Sequence, residues 1–518
     1  MKIKKDKLNI IVPIAKIDID FQREFGNFKY YSKLGKQETI FSYSKKIFDK
    51  FNSKFNIKIH FITSEKIQKI YKIKYFINKI KYEKNTIVLK KDTKNLIETI
   101  LQSKLLISNK NEKIIIFHPD SFCEIDIAKF CNISKKGYDG IQFGYDHFNP
   151  TDHLSSNTGR FLITKNQKIK KIYEKTKLGN HLLTCAGLHY FKDWNIFEHY
   201  AEKLLLRKKI KYKVTSEVYN LMIMQNLHIK YFQVTNFISF SNISSVNEFN
   251  FWNSYFKTKY FKLKKIFNIN NIIPSAGSGR RHKQFKVAKP FIDISGKSMV
   301  SHAMESLPVS NNNYVLFRDH VATTYKNEIN KIKNILKKKI TIVRINKKTD
   351  GMARTCLFLE KHLDKDLPII ISSCDYKFLY NEKKLHALIK KEDPDSIIFT
   401  FRNYPDARID PNSYAYVKVN KNRIVKIVEK KAISKTPHKD FAVTGVFYFK
   451  NWYLFKKAVD DMISNKNTVN GEYYVATAIQ ELVNKKNKIL NFEIDKFISW
   501  SLPIHLKTYF FWEKIFKK

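Results

Sequence analysis

The stretch 272–297 constrains the fold of this chain more than any other part of the sequence. It begins with an apolar run and continues into a turn that contains Gly277 and Gly279. A strand that ends in such a turn presents free backbone N–H groups, which bind phosphate oxygens. Arg281 and Lys289 follow, and they offer a planar fork and a point charge to the same anion. The pattern therefore predicts a triphosphate-binding site at the edge of a sheet.

The spacing of these residues excludes two common phosphate-binding motifs. A Walker loop requires G-x-x-x-x-G-K-[ST], and a dinucleotide fingerprint requires a third glycine where His282 stands. The observed pattern is G-x-G-x-R, and Lys289 opens a Lys-Pro-Phe triplet eight positions after Arg281. This arrangement resembles the signature of the sugar-phosphate nucleotidylyltransferases, the nucleotide-sugar pyrophosphorylase superfamily. The alternative is an ordinary strand–loop–helix turn with solvated basic flanks.

The resemblance implies roles for the residues of this stretch. In that superfamily the glycine turn wraps the phosphates of an NTP, the arginine binds the triphosphate and the lysine neutralises developing charge. It therefore implies that Arg281 and Lys289 are catalytic. A second segment, 349–353, resembles the family loop that reads the nucleobase through backbone groups. The implied nucleotide-binding residues are Ala276, Gly277, Ser278, Gly279, Gly351 and Met352.

A carboxylate follows a second apolar run, since Asp375 comes directly after residues 368–374. A carboxylate at the carboxyl end of a buried strand can hold a Mg²⁺ ion that bridges phosphate oxygens, although strand-end and helix-capping aspartates are also common. The resemblance implies that Asp375 is catalytic and is the metal ligand, with Mg²⁺ as the cofactor. Many relatives carry a second metal-binding aspartate near the end of the domain. The corresponding segment here, 499–506, contains no aspartate, and Asp495 is the nearest.

Four further residues form the implied acceptor side of the site. In the family a Glu-Lys pair after a strand contacts the acceptor, with the glutamate on sugar hydroxyls and the lysine on the phosphate. The alternative for such a pair is an exposed ion pair on a basic surface. A later glycine is expected to allow the close approach of a sugar ring, and a glutamate opens the acceptor-binding helix. The implied acceptor-binding residues are Glu429, Lys430, Gly445 and Glu472.

The same pattern occurs twice along the chain, at offsets near the value of 375 − 120 = 255. The matched positions are Asp120 with Asp375, Glu174-Lys175 with Glu429-Lys430, Gly187 with Gly445, and Glu217 with Glu472. We interpret this as a tandem duplication with a degenerate first copy. In that copy the segment 16–21 replaces the glycine turn, and its Asp18 and Asp20 would repel a triphosphate.

Short apolar runs alternate with amphipathic segments in both copies. This alternation predicts an α/β fold in which a mostly parallel sheet is flanked by helices. The resemblance implies two Rossmann-like nucleotidyltransferase domains, a degenerate one at 1–255 and one with the G-x-G-x-R motif at 265–518. We expect the first to be a folded scaffold without transfer activity. A retained pocket for a sugar or another phosphorylated ligand is the alternative.

Composition restricts the location and the partners of the protein. The five cysteines lack C-x-x-C spacing, which is typical of free thiols in a reducing cytoplasm. The sequence lacks an apolar run that would span a bilayer, and its basic start lacks the features of a signal peptide. The formal net charge of +49 comes mostly from lysines spread along the chain. This distribution predicts solvated faces and no specific nucleic-acid site, with weak contact to anionic membrane surfaces as a further option.

The sequence thus favours a Mg²⁺-dependent, cytoplasmic nucleotidylyltransferase. It is expected to transfer a nucleoside monophosphate from an NTP to a sugar 1-phosphate or a related phospho-alcohol, releasing pyrophosphate, for capsule or lipopolysaccharide biosynthesis. One alternative is a non-catalytic protein that binds nucleotides or sugar phosphates in a regulatory or scaffold role. Another is a nucleic-acid-binding protein, which rests on charge alone and predicts steeply salt-dependent binding.

Overall fold

The computed structural model describes residues 5–151, 159–175, 182–258, 266–277, 279–336 and 339–517. The chain divides into two compact units. The first contains Met1–Phe256 together with Phe511–Lys518, and the second contains Lys257–Phe510. The sequence places a domain boundary between 255 and 265 and assigns all later residues to the second domain, whereas the structure groups the last eight residues with the first unit.

The elements of the first unit follow one another as alternating strands and helices. Its strands are β1 (Lys7–Pro13), β2 (Lys33–Leu34), β3 (Glu38–Thr39), β4 (Asn56–Ser64), β5 (Glu83–Leu89), β6 (Lys113–Phe117), β7 (Ser121–Glu124), β8 (Gly140–Tyr145), β9 (Arg160–Ile163), β10 (Ile169–Tyr173), β11 (Leu183–Phe191), β12 (Ile229–Gln233) and β13 (Thr235–Ser239). Its helices are α1 (Ile19–Phe25), α2 (Ile40–Ser44), α3 (Lys46–Lys54), α4 (Glu65–Tyr71), α5 (Ile73–Asn78), α6 (Leu96–Leu101), α7 (Ile127–Ser134), α8 (Trp194–Leu206), α9 (Thr215–Met224) and α10 (Ile243–Lys257). Short 3-10 helices lie at Lys29–Tyr31 and Gln102–Leu106.

The second unit continues the same alternation. Its strands are β14 (Phe267–Ser275), β15 (Asp293–Ile294), β16 (Lys297–Ser298), β17 (Ser310–Arg318), β18 (Ile340–Ile345), β19 (Ile369–Ser372), β20 (Tyr376–Leu379), β21 (Ser396–Phe401), β22 (Tyr416–Asn420), β23 (Arg423–Val428), β24 (Phe441–Phe449), β25 (Ile489–Glu493) and β26 (Lys496–Ser499). Its helices are α11 (Met299–Ser306), α12 (Asp319–Thr324), α13 (Lys326–Leu336), α14 (Met352–Cys356), α15 (Glu382–Glu392), α16 (Asp406–Ile409), α17 (Trp452–Ser464) and α18 (Val475–Asn484), and the last helix, α19 (Pro503–Phe516), begins in this unit. Short 3-10 helices lie at Arg280–His282, Lys289–Phe291, Leu357–Leu359, Pro411–Ser413 and Pro437–Lys439.

The sheet of the second unit has the strand order β18-β17-β14-β19-β24-β21-β25, with β23 and β22 following β25. The first four strands run parallel, whereas β24 is antiparallel to both of its neighbours β19 and β21. Every residue of β19 is buried. Continuous apolar runs of this kind belong to strands that are covered on both faces. The predicted α/β class is confirmed, and the sheet combines a parallel core with antiparallel strands.

The sheet of the first unit repeats this arrangement. Its strand order is β5-β4-β1-β6-β11-β8-β12, with β9 and β10 attached at β11. Each unit also contains a short hairpin, β2–β3 or β15–β16, and a separate two-stranded pair, β7–β13 or β20–β26. The two units therefore share one topology, while the duplication that would explain it stays a hypothesis.

One of the matches between the two copies is wrong in register. Glu217 lies in the first turn of α9, whereas Glu472 precedes the start of α18 by three residues. The residues that occupy equivalent positions in α9 and α18 are Asn220 and Gln480. The side-chain oxygen of Asn220 accepts a hydrogen bond from the Ile172 N–H of β10 at 2.9 Å. The side-chain oxygen of Gln480 accepts one from an N–H of β23 at 2.7 Å. The offset in these helices is 480 − 220 = 260 and not 255. A difference of five residues is more than one helical turn, so Glu217 has no counterpart in Glu472.

The helices and cysteines bear on two further expectations. Within the ranges described above, no helix is both long and apolar enough to cross a lipid bilayer.

All five cysteines are free thiols, and four of them are buried. Burial raises the pKa of Cys374, the neighbour of Asp375. A buried thiol with a raised pKa is a poor nucleophile, so Cys374 is no candidate for covalent catalysis.

Candidate active site

The glycine turn and the predicted metal-binding aspartate lie at neighbouring strand ends. The strand β14 pairs in parallel with β19, with Asn270 opposite Ile369 and Ile272 opposite Ile371. Carboxyl ends of neighbouring parallel strands meet at one edge of a sheet, where ligands bind in folds of this kind. The turn that follows β14 and the aspartate that follows β19 are therefore brought to the same edge.

An ion pair between Lys289 and Asp375 forms the centre of this edge. The Lys289 Nζ lies 2.6 Å from the Asp375 Oδ2, and the two side chains are 22% and 5% exposed. The Ser373 hydroxyl donates a hydrogen bond to the other carboxylate oxygen. Burial alone would raise the pKa of Asp375, but Lys289 and Ser373 hold that pKa below its usual value. The carboxylate is therefore ionised, and the pair is fully charged at neutral pH.

Both glycines of the turn are at least partly accessible to solvent. Gly279 has a φ of +62°, which residues with a Cβ rarely adopt. Gly277 is exposed, and a Cβ at that position would have no atom within 4 Å. Ala276 is buried, and Ser278 lies outside the described residues. Arg281 is exposed, and its guanidinium has no hydrogen bond or ion pair with any residue that the structure describes. Both the turn and its arginine are therefore accessible to an anionic ligand.

Lys430 brings a third cation into the same electrostatic environment. Burial lowers the pKa of Lys430, Glu429 opposes that change, and the Arg281 charge lowers the pKa further. The Arg281 charge also acts on Lys289. The Lys430 Nζ donates a hydrogen bond to the Ser413 carbonyl at 2.5 Å. Arg281 is thus close enough to influence both Lys289 and Lys430.

The Glu429-Lys430 pair differs from an exposed ion pair. Both residues are partly buried, and no ion pair joins their side chains in the described part of the chain. Lys430 has a φ of +53°, an unusual value for a residue with a Cβ. Burial raises the pKa of Glu429 to about 7, and Lys430 opposes this rise only in part. Glu429 therefore titrates near neutral pH and is able both to donate and to accept hydrogen bonds there.

This raised pKa predicts a pH dependence of stability. A carboxyl whose pKa rises on folding stabilises the folded state fully below its unfolded pKa, and this contribution is lost as pH rises through about 7. We expect the Tm of the wild type to fall relative to that of Glu429→Gln between pH 5 and pH 8. Thermal unfolding of both proteins across this range is the measurement. Equal changes in Tm for the two proteins would show that Glu429 does not titrate in this window.

Gly445 and Glu472 occupy positions around the same edge. Gly445 has a φ of +80°, and a Cβ there would lie 3.0 Å from the ring of Tyr376. The glycine therefore permits close packing against the residue that follows Asp375. Glu472 is exposed. The pKa of Tyr474 is raised first by the burial of its own side chain and second by a hydrogen bond with Glu472.

The segment 349–353 is bonded to the segment that contains Glu472. Gly351 has a φ of +134°, and a Cβ there would lie 2.4 Å from the Tyr473 carbonyl oxygen. The Tyr473 N–H donates to the Asp350 carbonyl at 2.8 Å, and the Tyr473 carbonyl accepts from a helix α14 N–H at 3.2 Å. Met352 is partly buried and packs against the core. Only glycine fits at position 351, because the other backbone approaches so closely.

The carboxylates available for a metal ion are few. No group of three or more His, Cys, Asp or Glu side chains in the described ranges is arranged to hold a metal. The strand β20, which begins directly after Asp375, pairs with β26. Ser499 ends β26 near Asp375, whereas Asp495 precedes β26 at its opposite end. The Ser499 hydroxyl is 3.1 Å from the Nδ1 of His505. Asp375 alone suits Mg²⁺ that is held mainly by substrate phosphates and water, a common arrangement for this ion.

The structure also reveals a residue of the first unit that the sequence comparison missed. Lys29 begins a 3-10 helix, as Lys289 does in the second unit, and the offset is 289 − 29 = 260. The Lys29 Nζ lies 2.9 Å from the Asp120 Oδ2 and 3.8 Å from the Asp18 Oδ2. The offset of 260 is close to the offsets of the other matched positions, and this similarity was the signal in the sequence that could have identified Lys29. The first unit thus contains a similar Lys–Asp pair, with Asp18 as an additional carboxylate.

The backbone around these two pairs is held in the same way. His118 N–H donates to the Gly187 carbonyl at 3.1 Å, and Ser373 N–H donates to the Gly445 carbonyl at 3.3 Å. Lys175, at the position of Lys430, has a φ of +52°. The units differ where the glycine turn would be, because helix α1 begins there in the first unit and Asp18 caps it.

Comparisons with known proteins match about half of this chain. The family model described as nucleotidyl transferase matches residues 270–513. No curated protein matches the sequence. One similar solved structure is a nucleoside-diphosphate-sugar pyrophosphorylase from Vibrio cholerae, at 19% identity and a TM-score of 0.39, covering 46% of this chain and 98% of that one. Another is an inositol-1-phosphate CTP transferase from T. maritima, at 21% identity and a TM-score of 0.38, covering 49% of this chain and 98% of that one. The resemblance indicated by the G-x-G-x-R pattern is confirmed for residues 270–513, which match the nucleotidyl transferase family model.

Proposed function

We propose that the second unit transfers a nucleoside monophosphate from an NTP to a sugar 1-phosphate, or to a related phospho-alcohol, and releases pyrophosphate. A phosphate oxygen of the acceptor attacks the α-phosphorus, and the bond from that phosphorus to the pyrophosphate leaving group breaks. Glycosyl transfer in surface polysaccharide biosynthesis is the class of reaction that would consume the product. The reaction requires little covalent chemistry from the protein, so its rate depends on positioning and on charge neutralisation.

One observation carries this proposal: Lys289 pairs with the buried, ionised Asp375, and the charge of Arg281 acts on both Lys289 and Lys430. Lys289 is held by Asp375 at 2.6 Å, while Arg281 is exposed and unpaired among the described residues. Lys430 interacts electrostatically with Arg281. Such a group suits a ligand with several phosphate charges, which grow or shift in the transition state.

The residues of the site are proposed to divide the work. Arg281, beside the open glycine turn, binds the triphosphate. Lys289 neutralises charge at the α-phosphate and at the attacking oxygen. Lys430 binds the acceptor phosphate, and Glu429 holds a hydroxyl of the acceptor. Gly351 allows the backbone of its loop to lie near the acceptor segment, so the base and the acceptor are read by neighbouring loops.

Mg²⁺ is the proposed cofactor, and Asp375 is the residue that would hold it. When bound, this ion supplies charge neutralisation between phosphate oxygens. Both oxygens of Asp375 have protein partners, Lys289 on one and Ser373 on the other. These partners keep the carboxylate ionised and oriented, and a bound Mg²⁺ would share it with the Lys289 ammonium.

The second candidate is a non-catalytic protein that binds nucleotides or sugar phosphates. It is favoured by the absence of a second carboxylate beside Asp375 within the part of segment 499–506 that the structure describes. The two candidates are separated by measuring pyrophosphate release with four NTPs and a panel of sugar 1-phosphates, with and without Mg²⁺. Release that requires one NTP, one acceptor and Mg²⁺ would support the enzyme. Ligand binding without turnover for every pair would support the binding protein.

Arg281→Ala is expected to reduce transfer by roughly 10²–10³-fold, because a lost charge-assisted contact to a transition-state anion costs about 3–4 kcal/mol. The guanidinium is exposed and unpaired within the described residues, so the substitution should leave the fold intact. Arg280→Ala is the matched control, since Arg280 is an exposed arginine of the same turn. Steady-state kinetics of both variants is the measurement. Equal activities for the two variants would remove Arg281 from the site.

A further inference from the structure

We infer that His282 is a positioning residue that holds the arginine-bearing loop of the second unit in place for the proposed transfer reaction. This inference rests on the proposed function and adds a residue to which neither the G-x-G-x-R pattern nor the family match assigns a role.

The loop 277–289 has a single buried anchor. Among its described residues only His282 is buried, with 3% of its surface exposed. Its neighbours Arg281 and Lys283 are exposed. At the far end the loop is tied by the Ala288 N–H, which donates to the Tyr325 hydroxyl at 2.8 Å. The part of the loop that carries Arg281 therefore depends on His282 for its attachment to the body of the unit.

A long-range hydrogen bond makes this attachment. The Nε2 of His282 lies 3.1 Å from the carbonyl oxygen of Trp500. A carbonyl only accepts, so the Nε2 carries the proton and donates it. The His282 ring also lies beside Phe285, with 5.9 Å between the ring centroids. The imidazole thus combines a directed hydrogen bond with packing inside the loop.

The partner of this bond is itself attached to the proposed metal-binding residue. The Trp500 N–H donates to the Asp375 carbonyl at 2.9 Å. The Trp500 side chain is fully buried and packs against His302 and Tyr509. The backbone of one buried residue, Trp500, therefore connects the loop of the arginine to the residue that pairs with Lys289. Because Arg281 directly precedes His282, loss of the bond would let the guanidinium move relative to Asp375.

His282→Phe tests this role, because it keeps an aromatic ring and removes the donor. His282→Gln is the rescue variant, since its amide can donate from nearly the same position. Gln284→Ala is the matched control at an exposed position of the same loop. We expect the Phe variant to lose at least tenfold in kcat/KM for the NTP, with a rise in KM for the NTP and little change in KM for the acceptor. The Gln and Gln284→Ala variants should remain within about threefold of the wild type. A small displacement of a binding group is sufficient for a loss of this size.

Limited trypsin digestion gives a second readout that needs no enzymatic activity. Exposed cleavage sites follow Arg280, Arg281, Lys283 and Lys286. We expect the Phe variant of the full chain to be cut within this loop at least fivefold faster than the wild type, as quantified by mass spectrometry, at unchanged Tm. The Gln variant should be cut at the wild-type rate.

The outcomes distinguish this inference from the proposed function. If the wild type releases no pyrophosphate, the proposed function fails, and the digestion still decides whether His282 anchors the loop. If the wild type is active and the Phe variant matches it in both kinetics and digestion, His282 has no positioning role and the inference is overturned. If the Phe variant has a lowered Tm, His282→Gln is compared with His282→Asn instead. The asparagine amide is shorter, so it is expected to miss the Trp500 carbonyl and to show the kinetic loss and the faster digestion expected of the Phe variant. Equal behaviour of these two amide variants would also overturn it.

Discussion

Replacing Lys289 with alanine is expected to reduce nucleotidyl transfer by roughly 10²–10³-fold, which corresponds to about 3–4 kcal/mol of lost transition-state stabilisation. The reason is its position, with the Nζ 2.6 Å from the Asp375 carboxylate and within the influence of Arg281. Steady-state pyrophosphate release, with the NTP and acceptor that the panel identifies, is the measurement. Activity within threefold of the wild type would contradict the proposed role.

The same substitution should also destabilise the protein. Removing one partner of a buried ion pair leaves an uncompensated charge, at a cost of about 3–5 kcal/mol. The lower end applies here, because the Lys289 side chain is 22% exposed. Since Lys289 holds the pKa of Asp375 down against burial, its loss should raise that pKa. In the wild type, the stabilising effect of ionised Asp375 is present above its unfolded pKa and is lost as pH falls through its lowered folded pKa. In Lys289→Ala the higher pKa removes this effect, so the Tm of the variant should fall less than that of the wild type as pH is lowered.

A double substitution separates the two effects of Lys289. In Lys289→Ala combined with Asp375→Asn, no buried charge is left unpaired, so the Tm should recover relative to Lys289→Ala alone. The activity should not recover, because the double variant lacks both the charge neutralisation proposed for Lys289 and the metal binding proposed for Asp375. Recovery of activity together with Tm would show that the single variant was inactive only because it was unstable.

Asp375→Asn is expected to abolish transfer, with a loss of at least about 10³-fold. Asparagine keeps the shape of the side chain and an oxygen for Lys289, but it removes the charge that Mg²⁺ requires. The wild type should likewise lose activity in excess EDTA and regain it with added Mg²⁺. The measurement is pyrophosphate release across a Mg²⁺ titration. Full wild-type activity in EDTA, or full activity of the variant, would exclude the proposed metal role.

Asp120→Asn in the first unit is the matched control for this substitution. Asp120 follows β6 as Asp375 follows β19, and each pairs with a lysine. In the first unit, however, Asp18 lies 3.8 Å from Lys29 and caps a helix where the glycine turn would be. A carboxylate there repels a triphosphate, so we propose that this unit is a scaffold without transfer activity. Asp120→Asn should leave pyrophosphate release within about twofold of the wild type, and a large loss would show that the first unit takes part.

Much of the fold followed from local patterns in the sequence. The apolar run 368–374 contains the strand β19, and the alternation of apolar and amphipathic segments gave the α/β class. The turn with Gly277 and Gly279 and the position of Asp375 after a buried run identified the edge of the sheet that holds the candidate site. These features depend on a few neighbouring residues, whose side-chain period and backbone freedom are properties of the segment itself.

Register between the two copies was less well determined. The match of Glu217 with Glu472 used a constant offset, but the offset changes from 255 to 260 between β23 and α18. A change of this kind arises in the connecting loops, where length varies without effect on the elements they join. A separate change, from 260 at Lys29 and Lys289 to 255 at Asp120 and Asp375, concealed the match of the two lysines.

The sequence by itself determined the class of the fold, the glycine turn with its cations and the aspartate at the strand end. Only the tertiary structure decided which of these groups meet. It paired Lys289 with Asp375 across 86 residues, placed Gly351 against the backbone of Tyr473, and joined His282 to Trp500 across 218 residues. The physical reason is that each of these contacts joins segments far apart in the chain. Their closeness is fixed by the pairing and packing of the whole sheet, which no local pattern encodes.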